Sequence, residues 1–141
     1  VTPPSRHERA APGGFGTEFG RELAELVQAV AGARGAVLLD REGHAIDFAH
    51  DGEAITDLDL QIAGAQVSIE LLETTAFADR RGMGTPAVLV EGRTGCIMAA
   101  VVEPTDAVQL VLVLWRRANL GLAWRHFDHA QGRLAALLGG P

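Results

Sequence analysis

Between Asp57 and Asp79 the chain reads DLDLQIAGAQVSIELLETTAFAD, and its apolar positions recur at helical spacing on two faces. Leu58, Ile62, Ala65, Ile69, Leu72 and Ala76 form one stripe. Leu60, Ala63, Gly64, Val67, Leu71 and Ala78 form another, nearly opposite. Polar residues keep two narrow strips, Asp59, Glu70 and Glu73 on one side, Gln61 and Ser68 on the other. A surface helix needs only one apolar stripe to hold it on its own core. The second stripe predicts a partner surface, and for a small domain the simplest partner is another copy of the chain. Gly64 fits that reading, because a position without a side chain lets a second backbone approach closely. The competing reading is a loop of the same chain laid over the extra stripe.

The remaining pattern supplies two helices and five strands. Residues 1–16, VTPPSRHERAAPGGFG, are rich in Pro, Gly and charge, show no period, and are expected to form a flexible tail. From Thr17 the positions Phe19, Leu23, Leu26, Val27 and Val30 mark an amphipathic helix that exits between Gly32 and Gly35. Ala36 to Asp40 and His44 to His50 are strands joined by the turn Arg41-Glu42-Gly43. After the two-faced helix comes a meander: Thr85 to Glu91, Cys96 to Glu103 and Ala107 to Trp115. Pro86 suits a sheet edge. The last two strands are apolar on both faces, so the sheet must be covered on both sides. A final helix, Ala118 to Leu138, turns Leu120, Ala123, Trp124, Phe127, Ala130, Leu134 and Leu137 inward. The order α-β-β-α-β-β-β-α predicts an α/β fold: a three-layer α/β/α sandwich around a five-stranded, mostly antiparallel sheet. The domain is expected over residues 17–138. Its two terminal helices share one layer and the two-faced helix forms the other.

At 141 residues with a formal net charge of −6, the chain is one domain with no bias toward nucleic acid or an anionic membrane surface. No apolar run reaches the length of a membrane span, and nothing at the start reads as a signal peptide. The single cysteine, Cys96, lies in an apolar stretch and reads as a small buried hydrophobe of a reducing, cytoplasmic compartment. All 12 basic residues are arginine, and tyrosine is absent. Without lysine there is no P-loop phosphate ligand, no Schiff base and no pyridoxal phosphate attachment. Without tyrosine one common general acid is missing.

The candidate chemistry is correspondingly thin. Gly13-Gly14-Phe15-Gly16 and Gly20 follow no strand and miss the dinucleotide spacing, so they read as linker. His126 and His129 share a helical face, but no third metal ligand is placed by spacing. Ser68, Thr74 and Thr75 have no nearby base and read as packing positions. Asp40, Glu42 and Asp47 on the first hairpin read as solubilising charge before acid–base catalysis. Arg80-Arg81 closes a helix, where positive charge complements the carbonyl end, and also suits an acidic partner. Trp115, Trp124 and Phe127 read as core. The expectation is a non-enzymatic protein with no cofactor and no metal.

The pattern resembles the Roadblock / dynein light-chain domain family, which includes bacterial MglB-like regulators of Ras-like GTPases. The stretches that carry the resemblance are Gly35-Ala-Val-Leu-Leu-Asp-Arg-Glu-Gly43, the two-faced helix, and Ala118-Asn-Leu-Gly-Leu122 after a long strand. The resemblance implies a profilin-like sandwich whose dimer uses the central helix and the third strand. On this chain those positions are Leu60, Ala63, Gly64, Val67 and Leu71, with Ala87, Val88, Leu89 and Val90. It further implies a homodimeric regulator or scaffold for a small Ras-like GTPase. The sequence offers no inserted arginine finger, so any stimulation of hydrolysis would reposition the GTPase's own residues. The alternatives are a small-molecule-sensing domain or a structural subunit of a larger assembly. The nearly all-apolar core argues against a polar-lined ligand cavity.

Overall fold

The computed structural model describes residues 17–103 and 108–139. The expected tail over 1–16 and the turn Pro104-Thr105-Asp106 lie outside the described residues. The elements run α1 (Thr17–Ala29), β1 (Ala33–Leu39), β2 (Ala45–His50), α2 (Asp57–Arg81), β3 (Ala87–Glu91), β4 (Gly95–Val101), β5 (Gln109–Trp115) and α3 (Leu120–Gly139). The expected element order holds throughout, with ends shifted by a few residues. β3 starts at Ala87, after Pro86, a residue with no N–H to give a ladder. α3 starts at Leu120 because the Asn119 side chain caps it, accepting from the Leu122 N–H at 3.0 Å.

The sheet has the order β2-β1-β5-β4-β3, and each neighbouring pair is antiparallel. β1 is therefore joined to β5, with Val37 opposite Val111, rather than to a strand close in sequence on that side. α1 and α3 cover one face. There Leu23, Leu26, Phe127 and Leu134 meet Leu38, Met98, Leu110, Leu112 and Leu114. α2 covers the other face. There Leu60, Val67 and Leu71 meet Val37, Leu39, Phe48, Ala99, Val101 and Val111. Both faces of the central strands are thus buried, as their unbroken apolar runs require. Each fully buried Leu, Val or Phe contributes about 1.5–3 kcal/mol, so the two clusters dominate the stability of the domain.

Candidate functional site

α2 is held firmly at both ends. The Thr56 side chain accepts from the Asp59 N–H at 3.1 Å, and Asp57 and Asp59 add negative charge to the first turn. At the far end Gly82 takes φ +65°, a left-handed conformation that costs glycine little, and its N–H reaches back to Asp79 O. Arg80 and Arg81 place positive charge at that end. At the first end, His50 closes β2 in a buried position, stacked on Phe48 with ring centroids 5.9 Å apart. Its Nε2 meets the Asp57 carboxylate, which ties the end of β2 to the start of α2. Sequence periodicity gives no warning of this pair, since the two residues belong to different elements.

The packing of α2 corrects one sequence expectation. Leu60, Gly64, Val67 and Leu71, expected at a dimer contact, are buried against the chain's own sheet. Gly64 serves a close approach, but to a strand: a Cβ there would lie 2.9 Å from Val37 Cγ1. Side chains used in this way are not available to a second copy. Only Ala63 of that stripe stays half-exposed on α2. The opposite stripe is the one left open, with Leu58 66%, Ile62 46% and Ile69 60% exposed. Phe77 is exposed to a similar degree, with the Arg81 guanidinium 5.1 Å from its ring centroid.

β3 is an edge strand, bonded on one side to β4 alone. Ala87 and Val90 are exposed, and Val88 and Leu89 are half-buried. An open edge next to an apolar helix face is a surface suited to another polypeptide.

Several of the groups considered for chemistry have structural roles. The Asp40 carboxylate accepts from the N–H groups of Glu42 and His44 and so builds the β1–β2 turn. Asp47 is buried and accepts from the Phe48 N–H. Thr75 donates its hydroxyl to Leu71 O at 2.7 Å, and Ser68 lies on the buried side of α2. Cys96 is buried; desolvation first, and the nearby Glu91 charge second, push its thiol pKa up, keeping it protonated. His126 is half-buried and His129 exposed on α3. Trp115, expected in the core, is 38% exposed at the end of β5, where the Arg34 guanidinium sits 4.3 Å from its ring centroid. Among the described residues, no helix is long and apolar enough to cross a membrane.

No protein-family profile matches this chain, and no curated protein matches it. Solved structures do. An MglB structure with a tetrameric arrangement superposes at TM-score 0.73, with 23% identity, covering 84% of this chain and 86% of that one. Myxococcus xanthus MglB gives TM-score 0.73 at 20% identity, covering 87% and 96%. A Roadblock/LC7 domain from Streptomyces avermitilis gives 0.72 at 18% identity, covering 85% and 97%. The fold is that of a Roadblock domain. In this Roadblock-like domain the outer face of α2 and the edge of β3 are among the surfaces that its own core leaves open.

Proposed function

We propose that this chain is a non-enzymatic, homodimeric regulator or scaffold for a small Ras-like GTPase, acting in a bacterial cytoplasm. The observation that carries the reading is the second stripe of α2. The sheet takes one stripe, and Leu58, Ile62 and Ile69 remain exposed on the other. Burying a Leu or Ile side chain fully is worth about 1.5–3 kcal/mol, so an uncovered row favours association. The ends of α2 favour an antiparallel arrangement. Asp57 and Asp59 at its start would face the second copy's Arg80 and Arg81. The β3 edge supplies a further contact to the same assembly. The likeness of fold to MglB structures supports the GTPase part of the reading, since the family resemblance implies regulators of Ras-like GTPases.

Light scattering on the purified chain tests the dimer, which is expected at micromolar concentration; a monomer mass there would sink it. For the partner, the chain is added to a Ras-like GTPase encoded in the same genome. A changed rate of GTP hydrolysis or exchange, or a stable complex, is expected. Absence of both, or micromolar nucleotide binding by the chain itself, would count against the reading.

A further inference from the structure

One end of the sheet carries a cleft that the helices leave open. It has a volume of about 290 Å³ and lies where β1 begins and β5 ends, beside the β3–β4 turn. Val90, Ile97 and Val113 are three neighbouring side chains of the sheet face that α2 covers only in part. They form the floor, and the backbone of Gly92 to Gly95 forms a rim. Arg34 stands on the other side, its guanidinium laid over the exposed Trp115 ring. Three more arginines gather at this end. Arg93 is in the β3–β4 turn, and Arg116 and Arg117 follow β5. The Arg116 N–H donates to Thr94 O at 3.3 Å, which fixes the two segments beside each other.

None of these four arginines has a carboxylate partner among the described residues. Two acidic groups are close by, and the charge of one of them, Glu91, reaches the cleft residue Cys96. The Asp51 carboxylate accepts from the Glu53 N–H, and Glu91 lies opposite Cys96 in the ladder. In a chain of net charge −6, four arginines with no carboxylate ion pair among the described residues, gathered at one apolar cleft, are an electrostatic exception.

We propose that this cleft docks an acidic segment of a partner protein. One carboxylate binds Arg34, and an adjacent aliphatic side chain fills the floor of Val90, Ile97 and Val113. Arginine presents a planar fork suited to carboxylates, and stacking on Trp115 holds Arg34 in place before binding. The site is an open hollow of about 290 Å³, a size that takes one or two side chains rather than a bilayer. The negative charge of the rest of the chain opposes adsorption to an anionic surface. The inference rests on the partner-platform reading above, but not on dimerisation; of the cleft floor, Val90 alone also belongs to the β3 edge assigned to the dimer, and Ile97 and Val113 lie on inner strands.

The test is an NMR titration of the full ¹⁵N-labelled chain with acetyl-Asp-Asp-Leu-Asp-Asp-amide. The neutral acetyl-Asn-Asn-Leu-Asn-Asn-amide and vesicles of phosphatidylserine and phosphatidylcholine serve as comparisons. Saturable shifts confined to the amides of Val90–Ile97 and Val113–Arg116 are expected at low-millimolar peptide. Arg34→Gln, checked for folding by circular dichroism, should weaken binding about tenfold, as loss of one charge-assisted hydrogen bond predicts. Arg93→Gln provides a second, fully surface variant with a smaller loss. Three results would overturn the proposal: no localised shifts, equal binding of the neutral peptide, or retention on vesicles without peptide shifts. Light scattering on the same samples separates the readings: an intact dimer without peptide binding rejects the cleft alone, and a monomer that binds peptide rejects the dimer alone.

Discussion

Gly64 shows how much one absent side chain decides. Its neighbour Val37 is fully buried and cannot move aside from a Cβ at 2.9 Å. Gly64→Ala should therefore destabilise the domain by about 1–2 kcal/mol, even after the gain of about 1 kcal/mol in helix propensity. Urea denaturation measures this, and a more stable variant would show that the helix can lift from β1. Cys96 gives a second residue-scale prediction. Burial raises its thiol pKa, so the protonated form is favoured in the folded state. The stabilisation it brings is present below the unfolded pKa and is lost as pH rises through the folded value. Native protein should react slowly with a thiol reagent at pH about 8, and the unfolded chain rapidly, because only the thiolate attacks. Equal rates in the two states would place the thiol at the surface.

At the scale of the element, α2 separates fold from association. Val67→Glu puts a charge into the cluster of Leu60, Leu71 and Val111, without a partner, and should unfold the monomer. Ile69→Glu puts the same charge on the outer face. It should shift the mass from dimer to monomer while the circular dichroism spectrum stays native, with the melting temperature lowered only by the lost association. If Ile69→Glu leaves the mass of a dimer unchanged, the outer face is not the contact. The contrast also marks what the sequence can reveal. Helical spacing alone exposes two stripes on α2, the alternation of β4 and β5 demands cover on both faces, and turn residues locate every strand. The orientation of α2 is different. Leu60, Val67 and Leu71 match Leu58, Ile62 and Ile69 in apolar character, so periodicity has no means of ranking them. What settles it is the fit of Gly64 against Val37 and Leu39, a contact between distant segments. Trp115 evaded the sequence for a similar reason: it continues the inward face of Val111 and Val113, but α2 does not reach the end of that strand.

For the whole molecule, the layers divide the work. α1 and α3 cover one face and are pinned to each other by Arg133, whose Nε donates to Glu22 Oε1. The other face combines a single helix with an open strand edge and an open cleft. The strand order has a kinetic consequence. β1 with β2, and β3 with β4 and β5, can each form by local pairing, but the seam between β1 and β5 joins segments from opposite ends of the domain. Closing that seam orders the long intervening chain before the central core rewards it, so it is expected to limit the folding rate. Val37→Ala and Val111→Ala, which face each other across the seam, should slow refolding by most of their equilibrium cost. Val88→Ala on the edge strand should instead speed unfolding and leave the folding limb of the chevron nearly unmoved. The reverse pattern would mean that the meander, and not the seam, nucleates this sheet.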